Sequence, residues 1–590
     1  MTLTLVDWII IAAYILFSLM VGLYFRKRAG KSMESYFISG RSLPWWLVGT
    51  SMVATTFAAD TPLAITEMVR SHGIWRNWFW WNLALGGILS VFLFARLWQR
   101  TGVLTDNELI ELRYSGKPAA FLRGFKATYF ATLYNFIVMG WVINGMATVI
   151  RQLTGLPTEM AIISCITIAL IYSVMSGYWG VVVTDLVQFV LAMAGSIILA
   201  VIAVQHAGGM EALLAKLPTT SDYGSSTLSF IPSPSDGAAF IQFLLFITVM
   251  WWSSHNADGG GYLIQRMLSA KNEKHATLAT LWFNVANYAL RVWPWIVVAL
   301  VSMVLLPDIA VKKEAYPAVI KLVLGPGLRG LLVTTFLAAF MSTIDTHMNW
   351  GSSYIVNDVY KRFIRRDATE KHYVFVSRLV GVLVIVLAAV IAFYLQSIEK
   401  AWIFVWAMGA GIGSVLILRW FWWRVSAWSE IAALGASIAV TLGLEVTAFV
   451  QNVGQGTYSL FATAPVIFGT EIGLHHKIIM IVPFSVLCWV TVTFITPPTK
   501  RDKLHSFHKL VKPGGFWPWP TPKEHSVLRD FLPLYLSAVA LVYGLTFSIG
   551  NFIFGRVVAG SILLLIALIG SAVITRYLNR QDWSETAKEI

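Results

Sequence analysis

The sequence predicts an all-α polytopic membrane bundle: a five-plus-five inverted repeat with discontinuous helices and about 15 transmembrane helices. Three observations predict it. Hydrophobic residues make up 57% of the 590 residues and charged ones only 13%, against about 25% charged in a soluble domain; mean hydropathy is +0.68. Apolar segments near the ~20 residues that span hydrocarbon follow one another along almost the whole chain. Two of these segments are interrupted in mid-span by Pro, Gly and polar residues, five spans apart. Interrupted helices at corresponding positions of two halves point to an inverted repeat with its binding site between them.

Taken in order, the apolar segments are 7–25, 43–66, 78–98, 126–150, 158–176, 179–206, 237–262, 276–305, 328–357, 373–396, 401–422, 429–450, 477–496, 531–550 and 554–576. They divide into a leading helix with an inner loop (1–42), a first repeat (43–206), a second repeat (207–425) and trailing helices (426–590). The trailing part holds an outer loop at 451–475, an inner loop at 498–530 and a charged tail at 582–590. The first segment has no basic stretch ahead of it; Arg26, Lys27 and Arg28 follow it instead, so it reads as a retained span and not a cleavable signal. With the amino terminus outside, alternation puts these charges and the basic runs 361–366 and 500–512 inside. Inside segments then hold roughly three times the Lys and Arg of outside ones, as the positive-inside rule requires, and the carboxyl terminus is cytoplasmic. The net charge of +14 is therefore topology in a plasma-membrane protein and not a nucleic-acid site.

The second segment contains Ala58-Ala59-Asp60-Thr61-Pro62. Asp or Thr ahead of Pro is a helix-start signal, so a new half-helix is expected there. The seventh contains His255-Asn256-Ala257-Asp258-Gly259-Gly260-Gly261, where three glycines favour unwinding. Unwound backbone at membrane depth is tolerated where it lines a cavity, and its free carbonyls can hold cations. Cys165 and Cys488 lie within spans, leaving neither a disulfide framework nor a Cys metal site. Almost the whole chain is taken up by bilayer, no soluble catalytic domain is left over and no Walker-type loop occurs. The expectation is a carrier, neither an enzyme nor an ATP-driven pump, with no cofactor beyond a coupling ion.

The ninth segment carries Met341-Ser342-Thr343-Ile344-Asp345-Thr346-His347. Carboxylates and histidines are expensive in lipid and mark ion or substrate paths, and the hydroxyls are hard oxygen ligands for an alkali cation. Positions 339, 342 and 343 share one helical face. The plainer reading has Ser342 and Thr343 bonding back to their own helix.

Five motifs then occur in order: Ser39-Gly40-Arg41-Ser42-Leu43, Thr105-Asp106-Asn107-Glu108-Leu109 with Arg113-Tyr114, Gly180 to Gln188 (GVVVTDLVQ), Tyr262 to Ala270 (YLIQRMLSA), and Asn357-Asp358-Val359-Tyr360. On these, residues 7–425 resemble the sodium/solute symporter family, whose members share the inverted-repeat fold of bacterial leucine transporters. The resemblance implies a common sodium site built from the carbonyls of Ala54, Phe57 and Ala339 and the hydroxyls of Ser342 and Thr343. It also implies a second cation site at Asp185, Ser342, Asp345 and Thr346. The family usually has a small residue where this chain has Asp345; two carboxylates at one site either hold a cation or share a proton. The structural alternative for Asp185 is an ion pair with an Arg, or a helix cap.

Solute is expected at the midplane between the two breaks. The candidates are Asp60 and Thr61 at the first, His255, Asn256 and Asp258 at the second, and Asn82, Asn135 and Asn144 facing the same space. Arg291 either clasps a substrate carboxylate or neutralises Asp60, Asp258 or Asp345. Gly260-Gly261 stands where sugar transporters of the family carry Asn and Gln, a departure from a direct sugar-site copy. Trp80, Trp81 and Trp252 offer ring faces. His347 beside Asp345 is either a proton relay or a satisfied bundle residue, and Glu445 marks an oligomer contact or nothing. The function expected is sodium-coupled import of a small polar solute: a sugar, polyol, sialic acid or other carboxylate. The alternatives are proton coupling and a membrane sensor that kept the transporter fold.

Overall fold

The computed structural model describes residues 3–29, 32–222, 224–395, 397–453, 464–521, 527–581 and 583. Parts of the two expected loops (454–463 and 522–526), most of the tail 582–590, and the side chains of Arg26, Lys27 and Arg28 lie outside the described residues.

Helices account for every expected span. They are α1 (Leu5–Ala29), the short α2 (Met33–Ile38), α3 (Trp45–Thr56), α4 (Thr61–His72), α5 (Ile74–Thr101), α6 (Gly116–Thr154) and α7 (Thr158–His206). Then come α8 (Gly237–Ser253), α9 (Gly261–Ser269), α10 (Glu273–Leu305), α11 (Leu328–Ile364), α12 (Glu370–Tyr394), α13 (Ile398–Met408) and α14 (Ile412–Phe421). Last are α15 (Ala427–Val453), α16 (Leu474–Ile495), the inner-loop helix α17 (Arg501–Val511), α18 (Phe531–Ile553) and α19 (Val557–Arg580). Eleven helices among the described residues are long and apolar enough to cross a bilayer, twelve if the pair α13–α14, bent by 45°, is one span. The expected count of about 15 is not confirmed. The shortfall has a physical reason: both expected breaks cut a span into pieces that are individually short, and the first part of α7 (Thr158–Ile171) is short as well. The spans expected at 158–176 and 179–206 are joined in one continuous helical backbone.

Contacts between loops sort the connections into two ends. At one end Arg76 pairs with Glu399, Lys312 with Asp222, Arg151 with Glu314, and Asp7 accepts from the amides of Gly327 and Gly330. At the other, Arg123 pairs with Asp358 and Glu111, Glu111 with Arg362, the Met33 amide donates to Glu370, and Arg100 donates to the Val511 carbonyl of α17. The second end gathers the connections read from sequence as inside.

Both breaks form where the sequence places them. The α3 helix stops at Thr56, Phe57 leaves helical geometry (φ −92°, ψ 75°), and α4 restarts with Asp60 at its cap and Pro62 at its second position, where the missing N–H costs nothing. The crossing of α6 over this break needs glycine, since a Cβ on Gly145 would lie 2.8 Å from the Asp60 Cα. The second break runs from Ser254 to Gly260, with Gly259 at φ +125° and Gly260 at φ +74°, backbone that only glycine adopts cheaply. It is tied to the α13–α14 bend by a hydrogen bond from the Gly411 amide to the Ser253 carbonyl (2.7 Å).

Candidate functional site

The end of α3 meets the polar stretch of α11. The Thr343 hydroxyl lies 3.0 Å from the Thr55 carbonyl at the first break and 3.0 Å from Ala339 O on its own helix. The Ala54 carbonyl accepts the amide of Phe57 (3.0 Å) as α3 ends. Ala54, Phe57, Ala339, Ser342 and Thr343 are all nearly or fully buried. The Thr55 carbonyl near the end of α3 thus meets the Thr343 hydroxyl of the neighbouring helix, oxygen chemistry of the kind a hard monovalent cation takes. Thr343 also bonds back to its own helix, as the plainer reading had it, and reaches the first break at the same time.

Beyond Ser342 lies a cation that sequence reasoning did not place. Arg266 of α9, fully buried, donates from Nε to Ser51 Oγ (3.0 Å) and from Nη2 to Thr346 Oγ1 (2.7 Å) and Thr55 Oγ1 (2.5 Å). The same Nη2 is 3.5 Å from Asp185 Oδ2. Asp185 accepts the Ser51 hydroxyl on Oδ2 and the Ser342 hydroxyl on Oδ1, each at 2.5 Å. The structure therefore brings Asp185, Ser342 and Thr346 together, with a guanidinium among them. Asp345, fully buried three residues after Ser342 on α11, lies within electrostatic reach of Tyr14 and Tyr36. Arg266 was visible in the sequence as part of the YLIQRMLSA motif. The signal that would have marked it is a lone charge on a short half-helix directly after a glycine break.

A central cavity of about 210 Å³ opens between the two breaks. Asp60 and Thr61 of the first and His255 and Asn256 of the second line it, as do Thr55, Thr56 and Thr343 from the α3–α11 contact. Its other walls are mostly aromatic: Trp80, Tyr134, Trp141, Trp251, Tyr262, Tyr288, Trp402 and Trp406. Tyr134, Met250 and Tyr288 lie in π-helical turns (Phe130–Tyr134, Phe246–Met250, Val285–Leu290) that widen the helices around the cavity; such turns gather at functional sites. Five buried polar atoms of the wall have no hydrogen-bond partner among the described residues: Asp60 Oδ1, His255 Nδ1, Trp80 Nε1, Trp402 Nε1 and Trp406 Nε1.

Other candidates stand elsewhere. Asp258 does not line the cavity; it accepts from Arg419 (2.6 Å) and Trp420 Nε1 (3.0 Å), a buried pair that locks α14 to the second break. Asn82 turns its amide back onto the Trp78 and Phe79 carbonyls (both 2.8 Å), and Asn144 caps the end of α12 through Ala392 and Leu395. Asn135 holds His347, its Nδ2 on the His347 carbonyl (2.9 Å) and its Oδ1 2.7 Å from the ring Nδ1. His347 lines the cavity between Tyr262 and Trp350. Arg291 caps the α3 end, donating to the Val53 carbonyl (3.2 Å) and Thr56 Oγ1 (3.1 Å), with the rings of Phe57, Trp80 and Trp295 around its guanidinium. Of the three tryptophans expected to offer ring faces, Trp80 lines the cavity, whereas Trp81 and Trp252 do not. Glu445 pairs within the chain, with Lys477 at 2.7 Å.

Comparison with known proteins agrees on one description. A sequence model of the sodium:solute symporter family matches residues 36–438. A sodium/glucose cotransporter of Vibrio parahaemolyticus is 25% identical over 501 residues, covering 80% of this chain and 91% of that protein. Sodium/glucose cotransporter 1 of Oryctolagus cuniculus is 25% identical over 544 residues, covering 83% and 79% respectively. Among solved structures, a substrate-bound, outward-open Na+-coupled sialic acid symporter superposes with a TM-score of 0.64 at 18% identity, covering 84% of this chain and 99% of that one. This likeness gives the fold: a helical inverted-repeat transporter bundle.

Proposed function

This chain belongs to the sodium:solute symporter family, and from that premise we propose that it imports a small, neutral, hydroxyl-rich solute, a sugar or polyol, together with sodium held at the α3–α11 contact. It is a multi-pass membrane transporter, not an enzyme, and sodium is its coupling ion. The sodium ligands are the carbonyls of Ala54, Phe57 and Ala339 and the hydroxyls of Ser342 and Thr343. The observation that carries this reading is the Thr343 hydroxyl set between the Thr55 carbonyl at the first break and Ala339 O, at the edge of the cavity. An ion there joins the unwound end of α3 to α11 and fixes Asp60 and Thr61 three to seven residues on, which is how ion binding shapes a solute site. The inward gradient supplies the drive, the potential alone giving about 2.3 kcal/mol per charge per 100 mV.

The solute class is read from the wall. Ring-shaped polyols need flat apolar faces and scattered hydrogen-bond partners, and the cavity offers tryptophans together with Asp60, His255, Asn256 and Asn287. Among the described residues no Lys or Arg lines it, and Asp60 does, which disfavours a sialic acid or another carboxylate. Residues 43–206 and 207–425 serve as the two repeats, with the amino terminus outside and the carboxyl terminus in the cytoplasm of a plasma membrane. The test is thermal stabilisation of the purified protein by sodium chloride against potassium chloride, with Ser342→Ala beside it, followed by vesicle uptake of hexoses, polyols and monocarboxylates under a sodium gradient. A ligand that binds only the folded state must raise its stability. Sodium-specific stabilisation that Ser342→Ala loses, with uptake of a neutral polyol, is the expected result. Stabilisation by protons in place of sodium, or selective uptake of a carboxylate, would overturn it.

A further inference from the structure

Three of the four residues grouped by sequence around a second cation, Asp185, Ser342 and Thr346, already gather at one, and it belongs to the protein. Arg266 reaches from α9 into the gap between α7 and α11 and donates to Ser51, Thr55 and Thr346, with Asp185 3.5 Å away. All of these side chains are buried. We propose that the Arg266 guanidinium is a tethered second cation: it fills the position where a second sodium would sit, so that transport is coupled to one sodium, and it neutralises Asp185, which acts through Ser342 as a positioning residue of the sodium site. This rests on the sodium-coupled reading given above.

Two physical arguments carry it. The first is charge. Asp185 and Arg266 pair as opposite charges, and a further cation in the same cluster would sit beside the guanidinium in a low-dielectric interior, where like charges repel strongly. The donors also leave little ligand capacity. Ser51 Oγ takes the Arg266 Nε–H and gives its own proton to Asp185; Thr346 and Thr55, 3.0 Å apart, share the Nη2 protons. The second argument is orientation. A serine hydroxyl has one proton and two lone pairs. The Ser342 proton is held by Asp185 Oδ1 at 2.5 Å, so its lone pairs are left for an ion on the side of Ala339 and Thr343, and the bond to a carboxylate makes the oxygen a better donor of electron density. Outer partners of this kind typically account for about 10- to 100-fold in metal affinity.

The test is equilibrium binding of radioactive sodium to the purified full-length protein at constant ionic strength. Wild type is expected to hold one ion per chain. Asp185→Asn is expected still to hold one, about 10- to 100-fold more weakly. Arg266→Gln, which vacates the position and leaves Asp185 charged, is expected to hold two, whereas Arg266→Lys keeps one. Two ions per chain in wild type, one of them lost in Asp185→Asn, would overturn the proposal while leaving sodium coupling intact. Unchanged affinity in Asp185→Asn would remove the positioning role, and a single ion in Arg266→Gln would show that the position takes no sodium. No sodium bound by wild type at all would instead refute the sodium-coupled reading. Should Arg266→Gln fail to fold, the wild-type stoichiometry and the Asp185→Asn affinity decide the matter without it.

Discussion

Neutralising Asp60 tests the solute site with little structural disturbance. Asp60 is 1% exposed, lines the cavity, and its Oδ1 has no hydrogen-bond partner among the described residues. It stands at the cap position of α4 without making a side-chain capping bond, so Asp60→Asn keeps shape and removes the charge, including its electrostatic attraction for the buried Arg291 guanidinium. A hydrogen bond to a charged group contributes about 1.5–3 kcal/mol. At about 1.4 kcal/mol per factor of ten, this predicts that the half-saturating solute concentration in sodium-driven vesicle uptake rises roughly 10- to 150-fold. Linkage gives an independent reading. Solute at 100 times its dissociation constant stabilises the folded protein by about 2.7 kcal/mol. A 100-fold loss of affinity at the same concentration leaves about 0.4 kcal/mol, so the thermal shift with solute nearly disappears. Sodium binding in the absence of solute is expected to stay as in wild type. A change of less than about threefold in half-saturation, with the solute-dependent thermal shift intact, would refute a solute contact at Asp60 and with it the argument from unpartnered wall atoms.

Asp258→Ala breaks the buried pair with Arg419 and is expected to destabilise by about 3–5 kcal/mol, the lower end applying because Arg419 keeps Glu430; the protein that remains folded, measured by uptake, should retain the wild-type half-saturation for solute. Gly145→Ala sets a Cβ 2.8 Å from the Asp60 Cα and 3.0 Å from its amide nitrogen, both backbone, so about 1–3 kcal/mol of overpacking and a displaced first break should cut uptake sharply. Gly435→Ala, where a Cβ meets nothing within 4 Å, is the neutral control in the same thermal and uptake assays. At the end that gathers Arg123 and Arg362, burial pushes the Glu111 carboxyl up, but the hydrogen bonds from Arg362 and Arg123 outweigh it and hold the group below its usual value. Its contribution is therefore full above the unfolded-state value of about 4.3 and is lost as pH falls through the lower folded value. The stability difference between wild type and Glu111→Gln should be flat above about pH 5 and shrink below it, and a difference that grows on acidification would contradict the assigned ion pairs.

What was legible in the sequence follows from which signals are local. Pro62 and the Gly259–Gly261 run act on their own backbone, and both breaks appear where these residues put them. The hydroxyls of Ser342 and Thr343 were paired with the carbonyls of α3 through the family resemblance; the structure sets Thr343 on the Thr55 carbonyl and turns the Ser342 hydroxyl to Asp185. The side chains that fell elsewhere lie next to features that change helix phase. Asn135 directly follows the π-helical turn Phe130–Tyr134, and Arg291 directly follows Val285–Leu290. Each such turn adds a residue to the helical repeat and rotates everything after it by about 100°, so a face projected at 3.6 residues per turn points the wrong way. Asp258 was misplaced for another reason: its partner Arg419 is 161 residues away, and no local pattern connects them.

The Thr343–Thr55 contact and the Arg266–Asp185 cluster also bear on how such a carrier must move. Alternating access requires the elements carrying the breaks, α3–α4 and α8–α9, to shift against the helices that hold them, α7 and α11. The Thr343–Thr55 contact crosses that seam, and so do the bonds from Arg266 to Thr346 and from Ser51 to Asp185. On the proposed reading the Asp185 cluster is neutral and ties the seam without a free ion. The Thr343 contact is different, because two oxygens with one shared proton hold α3 to α11 weakly until a cation joins them. On the proposed reading sodium changes the stiffness of the seam while Arg266 keeps its register. A second free ion at Asp185 would make that register depend on occupancy as well. On this logic the half of α9 that bears Arg266 should stay protected from backbone hydrogen exchange with and without sodium, whereas residues 54–61 should become protected only when sodium is bound. Equal protection of both segments in sodium-free buffer would mean that the seam is closed without the ion, and that sodium acts at some other step.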